Sequence, residues 1–171
     1  MRNRVPPVAL TAALVLGLTL LAAPASGSGS GSGSGSVTRL AATLKGANEV
    51  PGPGDPDGRG RAFVGLAGDR ACFALEWSGI GAPTAAHIHD GRAGVAGPVV
   101  VLFFQPGTNA ASLPGTLSSV AGCVDVDPAL ARRIAARPRD WYVNIHTADF
   151  PAGAIRGQLH RPGHLDLDLP H

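Results

Sequence analysis

Lysine is almost absent from this 171-residue chain: Lys45 is the only one, and arginine carries the remaining positive charge. Two of the 14 basic residues, Arg2 and Arg4, lie in the leader described below; without it the count falls to 12, against 12 acidic residues. A near-neutral domain with scattered charges excludes nucleic acid as the expected partner. Cysteine is as scarce, with only Cys72 and Cys123, and no Cys-x-x-Cys spacing that would favour a thiolate metal site. Ser78, Ser112, Ser118 and Ser119 lack a Gly-x-Ser-x-Gly elbow, and no glycine-rich phosphate loop precedes a helix. Asp55, Asp57, Asp90, Asp125 and Asp149 show no spacing that favours a glycosidase pair. There is no internal repeat.

The one long apolar run, Val8 to Ala23, is interrupted by Thr11, Gly17 and Thr19 and is short for a spanning helix, which needs about 20 residues. It follows Met1-Arg-Asn-Arg4 and precedes Ala23-Pro24-Ala25, the layout of a secretory signal peptide over residues 1–25 cut after Ala25. An uncleaved N-terminal anchor is the alternative; no cysteine follows the run to accept a lipid. Residues 26–36 alternate serine and glycine and form a flexible spacer. The chain is therefore expected to be secreted or extracytoplasmic, with no stable membrane insertion after cleavage. Residues 37–160 then form one domain, and residues 161–171 a tail.

Between turn signals the domain offers short runs rich in Val, Ile, Phe and Thr, expected as strands near 37–45, 60–68, 70–79, 84–90, 97–104, 115–125, 140–147 and 153–160. Cys72, Ala74 and Glu76 alternate with Phe73, Leu75 and Trp77, so that strand is half-buried, and Gly68-Asp69 joins it to the run from Gly60 in a tight hairpin. Val99 to Phe104 is apolar on both faces and reads as a central strand. Asp127 as N-cap, Pro128 at the first helical position and Pro138 as a stop frame one short helix, with Leu130 and Ile134 as its apolar stripe and Arg132, Arg133 and Arg137 as a solvated face. Asn48 to Gly58 is a loop; Asp55 and Asp57 in it offer at most a weak calcium site. In the tail, leucine alternates with aspartate from Leu165, which could add an edge strand or fray, and His160, His164 and His171 could catch metal.

Cys72 and Cys123, an even pair in an exported chain, are expected to form a disulfide, with paired metal ligands as the alternative. His87 and His89 fall on one face of their strand, and Tyr142, Asn144 and His146 on one face of theirs. If the two strands adjoin, three imidazoles meet, and imidazole suits copper and zinc. The competing reading is a hydrogen-bonded polar cluster that orders strand ends, drawing on Glu49, Asp90, Asn144, Thr147 and Arg156. Within it Arg156 satisfies loop carbonyls or Glu49.

Leu44-Lys-Gly-Ala-Asn-Glu49-Val-Pro51, Ala86-His87-Ile88-His89, Gly97-Pro98-Val99-Val100, Tyr142-Val-Asn-Ile-His146-Thr147, Pro151-Ala-Gly153 and Ile155-Arg156-Gly157-Gln158-Leu159 follow one another in the order of a CHRD (chordin-type) domain, which the chain resembles over nearly the whole of residues 37–160. One departure is Ala154, where the family usually carries an acidic residue. The resemblance implies an all-β fold, an immunoglobulin-like Greek-key β-sandwich or barrel with one short connecting helix, distantly similar to copper/zinc superoxide dismutases. His87, His89 and His146 echo the copper ligands of those enzymes, but no histidine between His89 and His146 supplies their zinc site or bridge. Two functions follow as expectations. One is a secreted binding module for a protein or cell-envelope component, with no catalytic activity assigned. The other is an extracytoplasmic copper-binding or redox protein.

Overall fold

The structure, a computed structural model, describes residues 36–105 and 117–163. The leader, nearly all of the serine–glycine spacer, and the tail from His164 onward lie outside the described residues. Eight antiparallel strands run in chain order: β1 Thr38–Lys45, β2 Arg59–Ala67, β3 Arg70–Ser78, β4 Pro83–Asp90, β5 Val99–Phe104, β6 Ser119–Asp125, β7 Trp141–Thr147 and β8 Ile155–Gln158. One sheet holds them in the order β5-β4-β7-β8-β1-β2-β3-β6 and curls into a nearly closed barrel. Period-2 alternation sends Leu40, Val64, Phe73, Leu75, Ile88, Val143, Ile145 and Ile155 into a common core. Phe73 on β3 stacks on Phe103 of β5, ring centroids 4.4 Å apart, which brings the two ends of the sheet together.

β2 and β3 pair as expected, closed by Gly68 at φ +57 in the two-residue turn. Helix α1, Pro128–Ala136, has the expected cap, Asp127 Oδ1 accepting from the Leu130 amide at 2.8 Å, and buries Ile134 and Ala131. Two expectations need correction. β5 is not a central strand but an end of the strand order; its apolar residues split between the core (Val101, Phe103) and a half-covered outer side (Val100, Leu102), and Val99 is exposed. The last strand is shorter than 153–160, because Gly153 sits at φ +141, outside the strand region; His160 makes only an isolated bridge to Ala41.

Cys72 and Cys123 lie directly opposite on β3 and β6 and are joined by a disulfide. No helix among the described residues is long and apolar enough to cross a membrane.

Candidate metal centre

The strand order makes β4 and β7 neighbours. Their register sets His87 against Asn144, His89 against Tyr142 and Ala85 against His146. Residues 87 and 89 thus share a face with 142, 144 and 146, while Ile88, Val143 and Ile145 on the opposite face fill the core. β8 extends the same polar face, since Arg156 lies against Asn144 and Gln158 against Tyr142. Loops fold over it, so that His87 and His89 are each only 8% exposed.

One ligand nitrogen from each of His87, His89 and His146 lies within 4.8 Å of the other two, the only such group of three or more metal-capable side chains among the described residues. His89 Nδ1 faces the Gly97 carbonyl at 2.8 Å and must donate to it, so its Nε2 carries the lone pair. That Nε2 is buried and has no hydrogen-bond partner. His146 Nδ1 donates to the Pro151 carbonyl at 3.0 Å in the same way, and its Nε2 points at His87 Nδ1, 3.2 Å away. Two carbonyls therefore fix the tautomers of two imidazoles and turn their free nitrogens toward a common point, the outer-shell pattern of histidine metal ligands. A one-proton change of tautomer at His87 adds a third lone pair. The donor set, three neutral nitrogens with no thiolate or carboxylate, fits copper or zinc, and the orphaned His89 Nε2 is an atom such an ion would satisfy.

Electrostatics favours the neutral rings that a metal needs. Burial drives His87 down to about 4, helped by repulsion from His146 and His89 and opposed by Asn144. Burial also lowers His89 and His146, against the carbonyl bonds that favour their protonation.

Behind the histidines stands a stack that the sequence motifs alone did not single out. Tyr142 lies parallel to His89, centroids 4.6 Å apart, and the Arg156 guanidinium covers the other face of the tyrosine at 3.4 Å. Arg156, 1% exposed, also donates to the Arg92 carbonyl at 2.9 Å. Gln158 Nε2 donates to the carbonyls of Gly91 and Arg139, both at 2.9 Å, and of Trp141 at 3.2 Å, tying the loops to the sheet. The alternation of Arg156 and Gln158 was the available signal; their loop-carbonyl partners have none in sequence.

Of the other residues of the expected polar cluster, Asn144 and Arg156 lie at the histidines, whereas Thr147 and Asp90 serve elsewhere. Asn144 is between them, near enough to favour the protonated forms of His87 and His89, although its buried Oδ1 makes no well-aligned hydrogen bond. Thr147 Oγ1 accepts from the Phe150 amide at 3.2 Å and shapes the turn after β7. Asp90 is exposed at the end of β4. Glu49 is buried with its carboxylate packed on Gly153, and burial pushes it up to about 7 against the pull of Arg156. Ala154, the departure from the motif noted in the sequence, is fully buried and offers no charge there.

The model of the CHRD domain matches residues 40–159, which takes in all six motifs and every residue of this centre. The chain matches no curated protein. It matches no solved structure either.

Proposed function

The chain belongs to the CHRD family, and from that premise we propose that it is an exported binding module whose binding centre is a transition-metal site made by His87, His89 and His146, copper being the favoured ion. The observation that carries this reading is the buried, unpartnered Nε2 of His89 beside two further imidazole nitrogens, all within 4.8 Å. An unmet buried acceptor costs about 1–3 kcal/mol, and a metal ion would remove that cost. Three imidazoles supply the ligands; a bound copper ion would add Lewis acidity or one-electron chemistry. The protein's own part is to hold neutral rings through the Gly97 and Pro151 carbonyls and to keep bulk water away with the overlying loops. Export is supported by the leader-like residues 1–25 and by the disulfide. A protein or cell-envelope component as further partner rests on the family alone, which supports a binding module and names no partner.

Calorimetric titration of the untagged, metal-stripped protein with copper and with zinc tests the reading. One equivalent is expected to bind, and His89→Ala or His146→Ala is expected to weaken that binding by about 10- to 100-fold or more. Undiminished affinity in both variants would remove these residues as ligands, including the case in which His160, His164 and His171 of the tail hold the ion.

A further inference from the structure

Four arginines from three distant stretches of the chain meet around the junction of α1 with β7: Arg92 after β4, Arg137 and Arg139 before β7, and Arg161 after β8. They line two hollows of about 600 and 440 Å³ that share Arg92, Arg139 and Asp140, so the hollows form one groove. Among the described residues Asp140 is the only acidic one in the lining. It accepts from Arg92 Nε at 2.8 Å, which aims that guanidinium and leaves its two terminal nitrogens without a partner among the described residues. Among the described residues the side chains of Arg137 and Arg139 make no hydrogen bond, whereas Arg161 spends one nitrogen on the Ala135 carbonyl. The floor is rigid: Gln158 bonds the carbonyls of Gly91 and Arg139, and Arg156 bonds that of Arg92, so the backbones carrying two of the guanidiniums are fixed to β8. In a chain whose 12 basic and 12 acidic residues beyond the leader balance as a whole, this is a local excess of positive charge with forked donors, the chemistry that takes carboxylate, sulfate or phosphate oxygens in pairs.

We infer that this groove binds an acidic polysaccharide, a flexible polymer whose oxyanions are spaced along its length. The arginines are spread over two adjoining hollows rather than gathered on one point, which suits several spaced oxyanions better than a single small one. Among the described residues no Phe, Tyr or Trp lines either hollow, so they offer none of the stacking platform that single-stranded nucleic acids use. The apolar lining is limited to Ala93, Leu159 and Pro138, too little to enter a membrane surface. None of His87, His89 and His146 lines the groove.

Binding of the full chain to heparin and to polygalacturonate, measured by calorimetry across a salt series, tests this. Affinity that falls with salt is expected for at least one polymer. Arg137→Gln/Arg139→Gln is expected to weaken it by about tenfold or more, since two forked cationic donors are lost. The control Arg61→Gln/Arg132→Gln, with the same change in charge on exposed residues outside the groove, is expected to cost less than about half of that effect in free energy. Equal losses in the two double variants would overturn the groove as the site. So would binding to neither polymer, or binding to anionic vesicles or single-stranded DNA as tightly as to the polysaccharides. Affinity that emerges only after removal of residues 164–171 would assign the groove to the chain's own Asp166 and Asp168 instead.

Discussion

Single residues at the centre do work that their neighbours cannot take over. Gly153 has φ +141, and a Cβ there would stand 2.5 Å from the Glu49 carboxylate, so Gly153→Ala is expected to cost about 1–3 kcal/mol from backbone conformation alone; a urea denaturation series measures it, and an unchanged midpoint would reject the packing described. Arg156 has two roles, stacking on Tyr142 and donating to the Arg92 carbonyl, and both depend on a planar guanidinium. Titration adds a prediction for the metal-free protein. His87, at about 4 in the fold and 6.5 when free, takes up its proton more readily unfolded, so its contribution to stability is complete above pH 6.5 and is lost as pH falls toward 4. His89 and His146 act in the same direction. Glu49, raised to about 7, acts oppositely: its contribution is present below its free value of 4.5 and is lost as pH rises through 7. Three imidazoles outweigh one carboxyl between pH 4.5 and 6.5. Stability should therefore rise with pH across that window, and more steeply in Glu49→Gln; chemical denaturation at pH 5 and 6.5 would reveal a flat or inverted dependence.

At the scale of elements, the termini and turns follow local chemistry. Asp127 caps α1, Gly68 turns the β2–β3 hairpin, and each stood out in the sequence because one residue type satisfies one backbone demand. The Cys72–Cys123 bond joins β6, the last strand of the order, to β3 across a separation of 51 residues. In the chain-entropy account a loop of that length is worth about 4 kcal/mol. Replacing both cysteines by alanine is expected to lower stability by roughly that amount, and to expose amides 119–125 to hydrogen exchange before those of β4 and β7. Equal protection of β6 in the two proteins would show that packing alone holds it. β5 shows where local reading fails. Its apolar composition resembles that of a central strand, yet curling of the sheet covers an end strand from the inside and partly from the outside, so hydrophobicity no longer reports position in the order.

For the whole molecule, a metal that binds only the folded state must raise the melting temperature. At a free concentration 100 times the dissociation constant the gain is about 2.7 kcal/mol, several degrees for a domain of this size. Calorimetric melting with and without copper should show that shift in the native chain and not in His89→Ala; a shift preserved in the variant would place the ion elsewhere.

Composition and pattern by themselves determined the all-β class, the single short helix, the disulfide pair and the presence of three candidate ligands, because alternation, capping and cysteine parity are local properties. The family, too, was legible in the order of its motifs. Only the tertiary structure decided that β4 and β7 adjoin, since strand order depends on how the sheet curls to bury Ile88, Val143 and Phe103 together. That adjacency sets His87 3.2 Å from His146, and the folding of loops over the same face gives His89 its carbonyl at Gly97 and leaves its other nitrogen without a partner. The same closure gathers Arg92, Arg137, Arg139 and Arg161, which lie up to 69 positions apart in sequence and share no local pattern.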